Sequence, residues 1–114
     1  MKVKEIIQLT EATLVCGEGR LNDEVEKAFS SDLMSDVLTI DSEDILLITG
    51  LANTQSIRTA EMADIHFILL VRNKKATPEM IELAHEIGIV LMETPFSLFK
   101  TSGILYESGL KPVY

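Results

Sequence analysis

From residue 45 onward, short runs that are apolar on both sides alternate with segments whose apolar residues recur every three to four positions. Residues 45–49 (Ile-Leu-Leu-Ile-Thr) have the pattern of a strand buried on both faces, and Gly50 ends it. Residues 54–63 follow as a helix with Ile57, Ala60 and Ala63 facing inward. Residues 65–71 form the next buried strand, and Arg72-Asn73-Lys74-Lys75 makes an exposed turn. Thr77-Pro78-Glu79 is a helix start, with threonine as cap, proline at the first helical position and an acid near the positive helix end. Met80, Ile81, Ala84 and Ile87 are its expected buried stripe, and Gly88 supplies the left-handed stop. Residues 89–92 form a third strand. Thr94-Pro95 opens a last helix reaching about Tyr106, with Phe96, Phe99 and Gly103 on one face. Strands alternating with helices over short connections predict right-handed crossovers and a largely parallel sheet flanked by helices, a single three-layer α/β domain.

The N-terminal part is less regular. Residues 2–10 place Val3, Ile6, Ile7 and Thr10 on one helical face, and residues 12–16 are a compact β-prone run stopped by Gly17-Glu18-Gly19. Residues 25–31 fit two patterns. Asn22-Asp23-Glu24 resembles a helix start, yet Val25, Lys27 and Phe29 alternate as in a strand, which is the assignment preferred here. Asp32 is the expected N-cap of a helix over residues 33–40 with Leu33, Met34, Val37 and Leu38 as its apolar face. The chain of 114 residues is thus expected to form one domain over 1–114, with the helix of residues 1–11 appended.

A net charge of −8 repels polyanions and anionic lipid, so neither nucleic acid nor a membrane surface is an expected partner. One cysteine, Cys16, excludes an internal disulfide and any cysteine cluster for zinc or iron–sulfur ligation. With no basic start followed by an apolar stretch, and with apolar runs far shorter than the ~20 residues that span a bilayer, a cytoplasmic location is expected.

In parallel α/β sheets, ligands bind beyond the carboxyl ends of the strands, where helix N-termini present free N–H groups. That edge is expected to collect Gly50, Asn53, Thr54, Arg58 and Thr94. Arg58 lies one turn beyond the helix start, where its guanidinium could meet a phosphate or carboxylate, or else pair with Glu61 or Glu93. Gly17-Glu18-Gly19 lacks the third glycine of a dinucleotide fingerprint, and no P-loop lysine follows any glycine cluster. Asp32 and Asp36 could form a carboxylate pair, but capping by Asp32 and a solvated Asp36 explain them more simply. His66 in an apolar strand, His85 on an exposed helix face and Cys16 at a strand end are read as structural. No acid–base or nucleophile–base pair is legible, so no enzyme activity, metal or cofactor is expected.

Several segments carry a resemblance: residues 29–38 (FSSDLMSDVL), Ile48-Thr49-Gly50, Ala84-His85-Glu86-Ile87-Gly88-Ile89 and Glu93-Thr94-Pro95-Phe96. Together they resemble successive blocks of the DRTGG domain, covering about residues 16–106. Asp32 and the pair Thr49-Gly50 match the residues behind the family's name, whereas Leu33 stands where arginine is expected and Leu51 where a second glycine is expected. The resemblance implies an α/β fold similar to the N-terminal domain of HPr kinase/phosphorylase. It also implies a regulatory or binding module, here stand-alone, that could sense a small anionic ligand such as a nucleotide. The alternative is a purely structural dimerisation or accessory-subunit module in a metabolic enzyme complex. A homodimer and a partner metabolic enzyme are the expected protein partners. The expected ligand-binding set is Asp32, Thr49, Gly50, Asn53, Thr54, Arg58 and Thr94.

Overall fold

The computed structural model describes residues 1–114. The elements run α1 (Val3–Thr10), β1 (Thr13–Cys16), a 3₁₀ turn (Glu18–Arg20), β2 (Lys27–Ser30), α2 (Met34–Val37) and β3 (Ile45–Thr49). They continue with α3 (Thr54–Met62), β4 (Phe67–Leu70), α4 (Pro78–Ile87), β5 (Val90–Glu93), α5 (Leu98–Glu107) and β6 (Lys111–Pro112). The six strands form one sheet in the order β1-β5-β4-β3-β2-β6, parallel except for the antiparallel β1–β5 pair. This is the three-layer α/β architecture expected from the alternation.

The period of two along each strand decides which layer it faces. Ile45, Leu47, Ile68, Leu70 and Leu91 pack with Ile57, Ala60, Met80 and Ala84 beneath α2, α3 and α4. Leu46, Ile48, Phe67, Leu69, Val90 and Met92 pack with Val3, Ile6 and Leu105 beneath α1 and α5. Strands β2 to β5 therefore follow one another in space, with their connecting helices on one face. Helix α5 leaves β5 on the opposite face and returns the chain to β6, beside β2.

Within residues 25–31 the strand assignment holds for Lys27–Ser30, which pair in parallel with Ile45–Ile48. Several expectations need correction. Asp32 caps no helix: α2 spans only Met34–Val37, its cap position is Leu33, and the Asp32 carboxylate bonds to the end of β3 instead. Thr94-Pro95 does not start α5, which begins after Ser97, whose hydroxyl accepts the Lys100 N–H. His66 precedes β4, is exposed, and lies 3.2 Å from Asp64. Ile81 and Phe99, expected to face inward, are exposed at 36% and 90%. In both helices a narrower stripe meets the sheet, Met80 and Ala84 in one and Thr101 and Leu105 in the other.

Candidate anion site at the carboxyl edge

At the end of β3 the chain must turn, and its backbone donors need acceptors. Asp32, just beyond the neighbouring β2, supplies one: its Oδ1 accepts the Gly50 N–H at 2.6 Å and the Thr49 hydroxyl at 3.0 Å. The Thr49 hydroxyl accepts the Leu51 N–H in turn at 3.1 Å, which fixes the first step of the turn. Asp32, Thr49 and Gly50, 18 residues apart at most in sequence, are thus joined because β2 and β3 are adjacent and parallel.

An arginine completes this cluster, and it comes from a place the sequence reading passed over. Arg72 and Asn73 both adopt left-handed backbone, with φ of 60° and 58°. Their N–H groups donate across to the carbonyls of Phe96 (2.7 Å) and Thr94 (3.1 Å), beyond the end of β5. The turn thus folds back over the sheet edge and lays the Arg72 guanidinium over Gly50. A Cβ placed on Gly50 would lie 2.7 Å from Arg72 Nη2 and 2.9 Å from Nε. Nη2 is 3.9 Å from Asp32 Oδ2, with both side chains about half exposed. At that separation the charges attract without a direct hydrogen bond, so guanidinium N–H groups remain for solvent or a ligand.

The place matters as much as the residues. Helix α4, after β4, and helix α5, after β5, lie on opposite faces of the sheet, and such a divergence opens a crevice at the carboxyl edge. Arg72 stands there. Lys100, in the first turn of α5, holds its Nζ 3.8 Å from the Phe96 ring centre, and Lys74 and Lys75 belong to the same turn as Arg72. Four of the ten basic residues therefore lie toward one edge of a chain whose net charge is −8, with Lys75 3.7 Å from Glu93 and Arg72 3.9 Å from Asp32. The other two arginines are engaged elsewhere. Arg20 pairs with Asp23, donates to the Gly88 carbonyl and lies against the Phe67 ring.

The remaining expected residues do not join this cluster. Asn53 caps α3, its Oδ1 accepting the Ser56 N–H at 3.2 Å. Thr54 and Arg58 line a groove shared with Glu79, Glu82 and Glu86, and Arg58 lies 3.7 Å from Glu61. Three facing carboxylates repel an anion, so the start of α3 is a poor place for one. Thr94 is buried, and its hydroxyl donates to the Thr10 carbonyl at 2.6 Å while accepting the Phe96 N–H at 3.2 Å. It braces α1 against the sheet edge and has little left to offer a ligand. Cys16 is buried, and burial first, then the Glu18 charge, raise its thiol above the usual range. No cluster of three or more His, Cys, Asp or Glu side chains is placed to hold a metal ion.

No family model matches the sequence, and no curated protein matches it. Among solved structures, the chain is similar to the CBS and DRTGG domains of the regulatory region of a Clostridium perfringens pyrophosphatase, crystallised with the activator diadenosine tetraphosphate. The TM-score is 0.78 at 18% identity, over 94% of this chain and 46% of that one. At such identity the likeness is one of fold alone, and it agrees with the single α/β domain described above. This chain spans less than half the length of that regulatory structure. No helix is long and apolar enough to cross a membrane.

Proposed function

We propose that this chain is a non-catalytic regulatory module of DRTGG type that binds a small anionic ligand, such as a nucleotide, at the carboxyl edge of its sheet. One observation carries the reading: the Arg72 guanidinium is held over Gly50, beside Asp32, with donors unspent, where the helices diverge. Asp32 acts as a positioning group. Its Oδ1 is committed to Thr49 and Gly50, and its Oδ2 holds the guanidinium loosely enough for a phosphate to compete. Lys100 and Lys74 add charge at the rim. The regulatory character of the similar pyrophosphatase region, whose structure holds a nucleotide activator, agrees with this reading. Occupancy at this edge would order the Arg72–Asn73 turn and the start of α5, surfaces through which a partner enzyme could sense it.

A thermal-shift series with nucleotides and phosphorylated metabolites tests the proposal. A ligand present at ten times its Kd stabilises a protein by about 1.4 kcal/mol, or roughly 6 °C for a domain of this size. Arg72→Ala should remove that shift. No shift with any of them at millimolar concentration, or an equal shift in Arg72→Ala, refutes the assignment.

A further inference from the structure

Between α5 and the β2–β6 margin lies a cleft of about 420 Å³, within the range of small-molecule sites. Its walls are apolar and aromatic, including Phe29, Ile48, Tyr106, Leu110, Val113 and Tyr114. The Tyr114 ring meets Phe29 edge-on, with centroids 6.2 Å apart and planes at 70°. At the polar end Ser102 donates its hydroxyl to the Leu98 carbonyl at 2.7 Å and accepts the Ser30 hydroxyl at 2.7 Å, so both protons are committed and Ser30 Oγ is left to accept from a ligand's ring edge.

Gly103 also lines the cleft, in the middle of α5. Glycine weakens a helix interior relative to alanine, and here neither packing nor backbone requires it. A Cβ at this position would touch nothing within 4 Å, and the φ of Gly103 is not positive. What its missing side chain leaves is open cleft.

The cleft lies toward the same carboxyl edge of the sheet as the anion site, although none of the anion-site residues lines it. Ser30 and Ile48 line it, Asp32 lies two residues beyond Ser30, and Thr49 follows Ile48. Phe99, also a wall, precedes Lys100, the cation beside the Arg72 turn. The other cation at the cleft is Lys111. From these contacts we infer that the cleft is the ring subsite of the same ligand: the flat base of a nucleotide lies among Phe29, Tyr106 and Tyr114, and its phosphates reach Arg72 and Lys100. This rests on the anion-site reading above. A second copy added along the sheet is disfavoured by β6 itself. The Lys111 and Val113 N–H groups donate inward to β2, and the residue between them is Pro112, which has no N–H to offer a new strand.

The test compares ATP with inorganic tripolyphosphate by titration calorimetry, in the wild-type chain, Gly103→Phe and Arg72→Ala. ATP is expected to bind at least tenfold more tightly than tripolyphosphate. Gly103→Phe should abolish that advantage while leaving tripolyphosphate affinity unchanged, and Arg72→Ala should weaken both. Nuclear Overhauser contacts from the adenine protons to the Tyr106 and Tyr114 rings in the wild-type chain provide a readout that needs no variant. Equal affinity for ATP and tripolyphosphate, with no such contacts, overturns the ring subsite while the anion site stands. Binding of neither overturns both. A dimer that Gly103→Phe dissociates, with ATP affinity unchanged, assigns the cleft to a second copy and also overturns the inference.

Discussion

Replacing Gly50 with alanine should move the Arg72 guanidinium without harming the fold. Gly50 has no positive φ, so alanine can adopt its backbone. The added Cβ would stand 2.7 Å from Arg72 Nη2, against an ordinary contact of 3.4 Å or more, a shortfall of about 0.7 Å. The atoms it meets are the far end of a long, half-exposed side chain, which can swing away. The Arg72–Asp32 pair it loosens is exposed and contributes roughly 0–1 kcal/mol. Alanine offsets this by restricting the unfolded chain, worth about 0.4–1 kcal/mol. Stability by urea denaturation should therefore change by less than about 1 kcal/mol in either direction. Ligand affinity should suffer more. A guanidinium displaced by half an ångström or more loses the geometry of a charge-assisted hydrogen bond worth about 1.5–3 kcal/mol, so anion affinity by titration calorimetry should fall roughly tenfold or more. A variant destabilised by several kcal/mol would show that the guanidinium is locked in place and the contact structural. Unchanged affinity in Gly50→Ala, alongside its loss in Arg72→Ala, would show that the position over Gly50 is not the binding geometry.

Thr101 carries the one buried side-chain oxygen without a hydrogen-bond partner, at 0% exposure. Thr101→Val removes that unpaired hydroxyl at nearly constant shape and should stabilise the chain by about 1 kcal/mol, read as a higher denaturation midpoint with unchanged slope. Asn53→Ala deletes the cap on the Ser56 N–H and should cost about 1 kcal/mol while leaving anion affinity unaltered, which separates its role from that of Arg72. The Cys16 thiol is raised by burial and by Glu18, so the folded state resists its ionisation. Alkylation by iodoacetamide at pH 8 should be much slower in the native chain than in urea. By linkage, stability is fully present below the unfolded thiol's pKa and is lost as pH rises through the higher folded value, a decline that Cys16→Ala should reduce.

Much of this architecture is written in local pattern. The strands at Ile45–Thr49, Phe67–Leu70 and Val90–Glu93 are apolar on both faces because helices cover both, and that burial shows in the sequence as unbroken Ile, Leu, Val and Met. Thr77, Pro78 and Gly88 mark the ends of α4 by their own chemistry, and the structure keeps all three roles. Where the sequence misled, the competing partner was distant. Asp32 has the chemistry of a helix cap, but the free N–H of Gly50 on the adjacent strand is a better-placed donor, and α2 begins without it. Thr94-Pro95 repeats the look of Thr77-Pro78. The Thr94 hydroxyl is drawn instead to the Thr10 carbonyl, 84 residues away, and the helix waits for Ser97.

The candidate site divides along the same line. Sequence pattern placed Gly50 at the carboxyl edge, whereas Asp32 was expected as a helix cap and joined the expected set, with Thr49, only through the family resemblance. Which cation meets them could not be read from spacing. Arg58 looked nearer because it follows Gly50 by eight residues, yet it faces Glu79, Glu82 and Glu86 across a helix groove. Arg72 reaches Gly50 only because β3 and β4 run side by side and two successive left-handed residues turn the chain back over the edge. Local pattern determined the strands, the helices and the largely parallel sheet, since periodicity and capping act within a few residues. Tertiary structure decided which arginine occupies the edge, and that α5, crossing on the opposite face, leaves an aromatic cleft beside it. Both depend on strand order, which no short window of sequence contains.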